Sequence, residues 1–191
     1  SAIADTEIII DVDGARSDYA VAATYGRNNV WSGFDFVTHD GSVDATGNLA
    51  SIGAVGGITK GSATGQIGSA TDFDGIDDAL NIGGNFLSTS KNDLYVSSWV
   101  KFDSLALNSA IVAKWGGATS EQSFLLVTPD TVNNELRAAI RKDNGVVKTA
   151  DSSGLGVTTG SFYFASLLLE SDTSTLSLYV NGASQRSTGA S

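Results

Sequence analysis

Apolar and polar residues alternate along this chain, and no stretch carries a sustained helical stripe, which most narrows what it can fold into. In DLYVSSWVKF, Leu94, Val96, Ser98, Val100 and Phe102 fall on one side and Tyr95, Ser97, Trp99 and Lys101 on the other. Successive strand side chains point to opposite faces, so the segment predicts a strand with one apolar face. TLSLYVNG repeats the pattern, with Leu176, Leu178 and Val180 set against Thr175, Ser177 and Tyr179. ELRAAIRKDNGVVK predicts a hairpin: Leu136, Ala138 and Ile140 point inward, and Asn144-Gly145 supplies a turn at positive φ. Asn181-Gly182 gives the same signal. SFYFASLLLE is apolar on both sides, as a central strand covered on each face would be. Further strands are predicted over Glu7–Val12, Asp35–His39, Ala70–Phe73, Ala79–Ile82, Ala110–Trp115 and Ser123–Thr128.

Many short strands need many tight turns, and the 22 glycines and single proline suit that need. A chain of 191 residues can fill a two-sheet core without staples. Residues 41–69 hold eight glycines and little alternation, which predicts a long surface excursion. With 11 basic against 21 acidic residues the net charge is −10, a field that disfavours nucleic acid and anionic membranes and draws divalent cations. No apolar run is long enough to span a bilayer, so membrane insertion is not expected. Cysteine is absent, which excludes disulfides and thiolate chemistry. Methionine is absent even at position 1, so a processed or excised piece of a larger protein is expected.

Four fragments, in order, carry a family resemblance: IGSATDFDGIDDALNI, LYVSSWVKF, AIVAKW and TGSFYFASLLLESDTSTLSLYVNG. Together they resemble the laminin G-like, concanavalin A-like jelly rolls of bacterial and phage surface proteins, from about Gly65 to Gly182. The resemblance implies an all-β, antiparallel two-sheet jelly-roll sandwich. YGRNNVWSGFDFVTHDGSVDATGN resembles the lead-in to such domains in multidomain exoproteins. This predicts an N-terminal strand and lead-in over residues 1–34 and the jelly roll over residues 35–191. Phe162 stands where relatives usually carry Trp, and the chain reaches QRSTGAS without the family's usual closing strands. An unpaired edge invites association, so a further strand or a neighbouring chain completing the sheet is expected.

DFDGIDDALNI gathers Asp72, Asp74, Asp77 and Asp78 around Gly75. Calcium takes about six to eight oxygens from carboxylates, carbonyls and water. Asp74, Asp78 and the Gly75 carbonyl are candidate ligands, although the segment has no EF-hand spacing. The other reading is a turn in which aspartate side chains accept backbone N–H groups, with Phe73 and Leu80 anchoring the core. In the family it resembles, calcium is held partly by the C-terminal acidic strand that this sequence does not show.

Catalytic patterns are poorly represented. The glutamates are Glu7, Glu121, Glu135 and Glu170, and only Glu170-Ser171-Asp172 approaches the paired-carboxylate pattern of a glycosidase. The single histidine, His39, has no Gly-x-Ser-x-Gly partner. Sugar-binding sandwiches stack rings on exposed aromatics, which makes Tyr95, Trp115 and Trp31 candidate ligand-binding residues, with Trp99 expected in the core. The resulting expectation is a non-catalytic extracellular, cell-surface or virion-exterior module that binds a glycan or a surface protein. A structural decoration or fibre domain is the alternative, and a polysaccharide hydrolase requires a glutamate pair to converge.

Overall fold

The computed structural model describes residues 20–24, 26–48, 51–83, 93–106, 109–114, 123–128, 134–141, 146–152, 154–170 and 172–188. After a single helical turn, α1 (Arg27–Val30), the elements are β1 (Ile52–Val55), β2 (Ala63–Thr64), β3 (Ser69–Ala70), β4 (Ala79–Ile82), β5 (Leu94–Lys101) and β6 (Ser109–Lys114). There follow β7 (Ser123–Thr128), β8 (Arg137–Arg141), β9 (Val147–Asp151), β10 (Phe162–Glu170), β11 (Thr175–Val180) and β12 (Ala183–Thr188). Every pairing is antiparallel. One four-stranded sheet runs β12-β11-β10-β5 and the other β6-β7-β8-β9; β1-β4 and β2-β3 form two small ribbons.

The alternation that defines each strand also builds the core. Leu167 and Ala165 of β10 and Leu176, Leu178 and Val180 of β11 are essentially inaccessible to solvent. They join Phe124 and Leu126 of β7, Ala138 and Ile140 of β8 and Ala150 of β9 in one cluster. β11 lies over β8 and β9 and β12 lies over β9, so the sheets stack as a sandwich. Leu136, Ala138 and Ile140 are buried as their spacing predicts. Beyond β9, Ser152 takes over from the ladder: its amide donates to the Leu136 carbonyl at 2.9 Å and its hydroxyl accepts the Leu136 amide at 2.8 Å. No backbone group at that buried corner of Leu136 and Ser152 goes without a partner. Facing residues Arg137 and Asp151 form a two-pronged ion pair, with Nη2 3.0 Å from Oδ2.

Several sequence expectations are corrected. Asp35–His39 is not a strand: side chains there serve the backbone locally instead of freeing it for a ladder. Asp44 Oδ1 accepts the amides of Val37 and Thr46 at 3.2 and 3.0 Å, and Thr38 Oγ1 accepts the Gly41 amide at 3.0 Å. Residues 41–69 are more ordered than a bare excursion, since β1, β2 and the first residue of β3 lie within them. Strands of four and two residues are too short for periodicity to register. The strand expected over Ala70–Phe73 reduces to Ser69–Ala70, and Phe73 is 48% exposed, so it does not anchor the core. β12 has a polar sequence and was not anticipated; its pairing with β11 defines it. Glu7–Val12 and the Asn144-Gly145 turn lie outside the described residues.

Because Leu167 lies on the central strand and is fully buried, Leu167→Ala is expected to destabilise the fold by about 2–5 kcal/mol. Urea unfolding followed by tryptophan fluorescence measures this, with Ile67→Ala, at a 77% exposed position, as a near-neutral control.

Candidate functional site

The acidic segment forms the turn that leads into β4. Gly75 has φ +74°, a left-handed conformation that glycine adopts without a Cβ penalty. Around it the aspartates tie down the backbone: Asp74 Oδ1 accepts the Ile76 amide at 2.8 Å, and Asp78 Oδ2 accepts the Asp74 amide at 2.9 Å. Asp78 Oδ1 reaches across to the Gly57 amide at 3.1 Å, linking this turn to the one after β1. Gly56, at φ +75°, makes that approach possible, because a Cβ there would lie 2.3 Å from Asp78 Oδ1. The β1–β4 ladder positions the two turns, with Val55 opposite Ala79.

Three carboxylates converge here. One oxygen from each of Asp74, Asp77 and Asp78 lies within 4.8 Å of the others. Two oxygens on opposite sides of a calcium, each about 2.4 Å from it, would also be about 4.8 Å apart, so the donor set and spacing suit a divalent cation. A carboxylate oxygen has two lone pairs, so each Asp78 oxygen, accepting one amide, keeps one, while Asp74 Oδ1 accepts the amides of both Ile76 and Asp77 and leaves Oδ2 as that residue's donor. The sequence pointed to Asp74 and Asp78; the fold adds Asp77, which adjacency alone did not mark as a ligand. Gly75 enters as the turn residue.

The second feature is the outer face of the β12-β11-β10-β5 sheet. Burial along β5 alternates strictly, and Tyr95 and Trp99 are 51% and 44% exposed. Trp99 therefore lies outside the core, contrary to expectation. A period of two cannot place it with Val96 and Val100, and the alternation had already assigned it to the other face. Its ring packs on Phe164 of β10 at 5.2 Å between centroids. The Lys101 ammonium sits 5.7 Å from the Phe162 ring centre. Across the ladder Tyr95 faces Leu168. These residues make an aromatic and apolar strip on β5 and its neighbour β10.

Trp31 lies elsewhere, half-buried in an aromatic cluster whose ring centroids are 5.6 Å from those of both Phe34 and His39. His39 is thus engaged in packing. Trp115 lies outside the described residues, as do Glu7 and Glu121. Glu135, which precedes β8, accepts the Gly154 amide through Oε1 at 3.3 Å, whereas Glu170 ends β10 in the other main sheet. Among the described residues, Asp74, Asp77 and Asp78 are the group of three or more potential metal-ligating side chains that come together.

The laminin G-type model of the concanavalin A-like lectin/glucanases superfamily matches residues 73–191. No curated protein and no solved structure matches the chain. The match begins within the acidic turn and takes in both main sheets.

Removing the Asp78 side chain takes away acceptors from two amides, so Asp78→Ala is expected to cost about 1–3 kcal/mol in denaturant unfolding. Gly56→Ala should cost a similar about 1–3 kcal/mol, through the positive φ and the contact with Asp78. Double-mutant coupling between the two sites is the expected signature of their contact.

Proposed function

The chain belongs to the concanavalin A-like lectin/glucanases superfamily, and from that membership we propose that it is a non-catalytic, extracellular carbohydrate-binding module. The observation that carries this reading is the strip on β5 and β10, where Tyr95 and Trp99 hold exposed rings two pleats apart on a rigid sheet. A pyranose ring has one face of C–H groups that stacks on an aromatic plane, and its hydroxyls need polar partners close by. Ser97, between the two rings, presents a hydroxyl on the same face. Rings fixed by strand pairing and by the Phe164 contact lose little conformational entropy on binding.

A calcium ion at Asp74, Asp77 and Asp78 belongs to the same proposal. It would supply charge compensation for an acidic turn on a chain of net charge −10, and would brace the Gly56-Gly57 turn against β4. Exposure of Asp74 and Asp77 points to weak, extracellular-type affinity, with Kd about 10⁻⁴–10⁻³ M. The partner expected is a surface glycan, on a cell or a particle exterior.

Glycan-array screening followed by calorimetry tests the reading. Trp99→Ala should weaken binding of any glycan hit by about 10- to 150-fold, the equivalent of about 1.5–3 kcal/mol for one buried aromatic ring. Unchanged affinity in that variant would move the site away from this face, and hydrolysis of a polysaccharide by the purified chain would overturn the non-catalytic assignment. Calorimetric titration with calcium should give a signal that Asp78→Asn reduces at least tenfold in affinity; an absence of heat and of any thermal shift would remove calcium from the account.

A further inference from the structure

The outer face of the β12-β11-β10-β5 sheet is uneven. Ladder pairing sets Tyr95 beside Leu168 and then Ser177, and Ser97 beside Ser166 and then Tyr179, while Trp99 faces Phe164. Small residues therefore run from β5 to β11 between larger ones. Ser97 and Ser166 are direct neighbours and Ser177 lies diagonally next to Ser166, so the three form a floor roughly 12 Å long. Tyr95 and Leu168 stand along one side of it, and Trp99, Phe164 and Tyr179 along the other. The result is a furrow that crosses three strands.

Burial marks this floor as more than a gap between rings. Ala165, Leu167, Leu176 and Leu178 fill the core, so alternation turns Ser166 and Ser177 outward, yet they are only 3% and 4% exposed. Taller neighbours shield them. Among the described residues nothing bonds the Ser166 hydroxyl. A hydroxyl can donate once and accept twice, and where water is screened out a hydrogen bond to it is stronger than at an open surface. The floor and walls carry no charge. Further along the same face come Glu170, beyond Leu168, and Lys101, beyond Trp99, whose ammonium is 3.8 Å from Asp103 Oδ1.

We propose that this furrow takes an uncharged disaccharide unit lying across the strands, and that Ser166 selects it. The inference rests on the glycan reading above and gives it a substrate class. A sugar standing in the furrow turns its hydroxyl edge to the serine floor and its C–H face to a wall ring. The length of the floor suits two linked sugars. One lies over Ser97 and Ser166 between Tyr95 and Trp99, and the next extends towards Ser177 and against Tyr179. A ligand without the matching hydroxyl leaves Ser166 desolvated and unpaired, which is how a polar site rejects an analogue. A carboxylate or sulfate gains no cation in the furrow and meets the field of a chain with net charge −10, so acidic glycans are disfavoured.

Calorimetry with cellobiose, lactose, maltose and chitobiose, with their monosaccharides, and with heparin and alginate disaccharides tests it. The expected result is a neutral disaccharide bound about tenfold or more tighter than its monosaccharides, with the acidic disaccharides weaker still. Ser166→Ala should weaken that disaccharide by about tenfold, the loss of one hydrogen bond, with an unchanged midpoint in urea unfolding. Tyr179→Ala should weaken the disaccharide and leave the monosaccharides unaffected. Ser97→Ala, at the exposed end of the floor, serves if Ser166→Ala does not fold. Preference for an acidic disaccharide, equal affinity for one sugar and two, or binding of no neutral disaccharide would overturn the proposal. So would unchanged affinity in Ser166→Ala; a lower unfolding midpoint in the same variant would then make the furrow a packing surface. Trp99→Ala separates the two readings: if it still weakens glycan binding, only the furrow is lost, and if it does not, the glycan site leaves this face as well.

Discussion

Burial of β10 between two neighbours and beneath a second sheet is the constraint on which the other elements depend. The strand is hydrogen-bonded to β5 on one side and β11 on the other, and Leu167 at its centre is fully buried. Its inner face needs a partner surface, and Leu126, Ala138, Ile140 and Ala150 of the opposite sheet supply one. Once those faces meet, parity fixes everything along β5 and β11. Val96 and Val100 must point in, and Tyr95, Ser97 and Trp99 must point out. The aromatic strip follows from the same pleat that makes the core.

The acidic turn is the clearest case of a local feature that serves the fold and also offers chemistry. Asp74 and Asp78 accept backbone amides, as a turn requires, and the same turn brings one oxygen of each together with one of Asp77. The structural and cation-binding readings of DFDGIDDALNI therefore describe the same geometry. The cross-link to Gly57 joins residues that are 21 apart in sequence, and it relies on the absence of a side chain at Gly56.

Much of the sandwich was legible beforehand. β5, β8 and β11 follow from alternation and β10 from its apolar run, and family membership agrees with the resemblance carried by the four fragments. What was not legible has physical reasons. β1, β2 and β3 are too short to show a period, and their pairing depends on neighbours distant in the chain. Asp35–His39 has strand-like composition, yet Asp44 and Thr38 satisfy its loop locally. Phe73 was expected to anchor the turn in the core, and Trp99 was expected there because the resemblance implies a packing Trp at that place, whereas both lie at the surface.

By itself the sequence determined an all-β, antiparallel sandwich, the inward residues of its long strands, and an acidic turn with candidate ligands at Asp74 and Asp78. Those conclusions rest on period-two patterning and turn chemistry, which are properties of neighbouring residues. Only the tertiary structure decided that Asp77 joins the cluster and that Trp99 and Tyr95 share an exposed strip with Phe164. Each of these depends on which strands lie side by side and in what register, and contacts across a sheet are set by the chain as a whole.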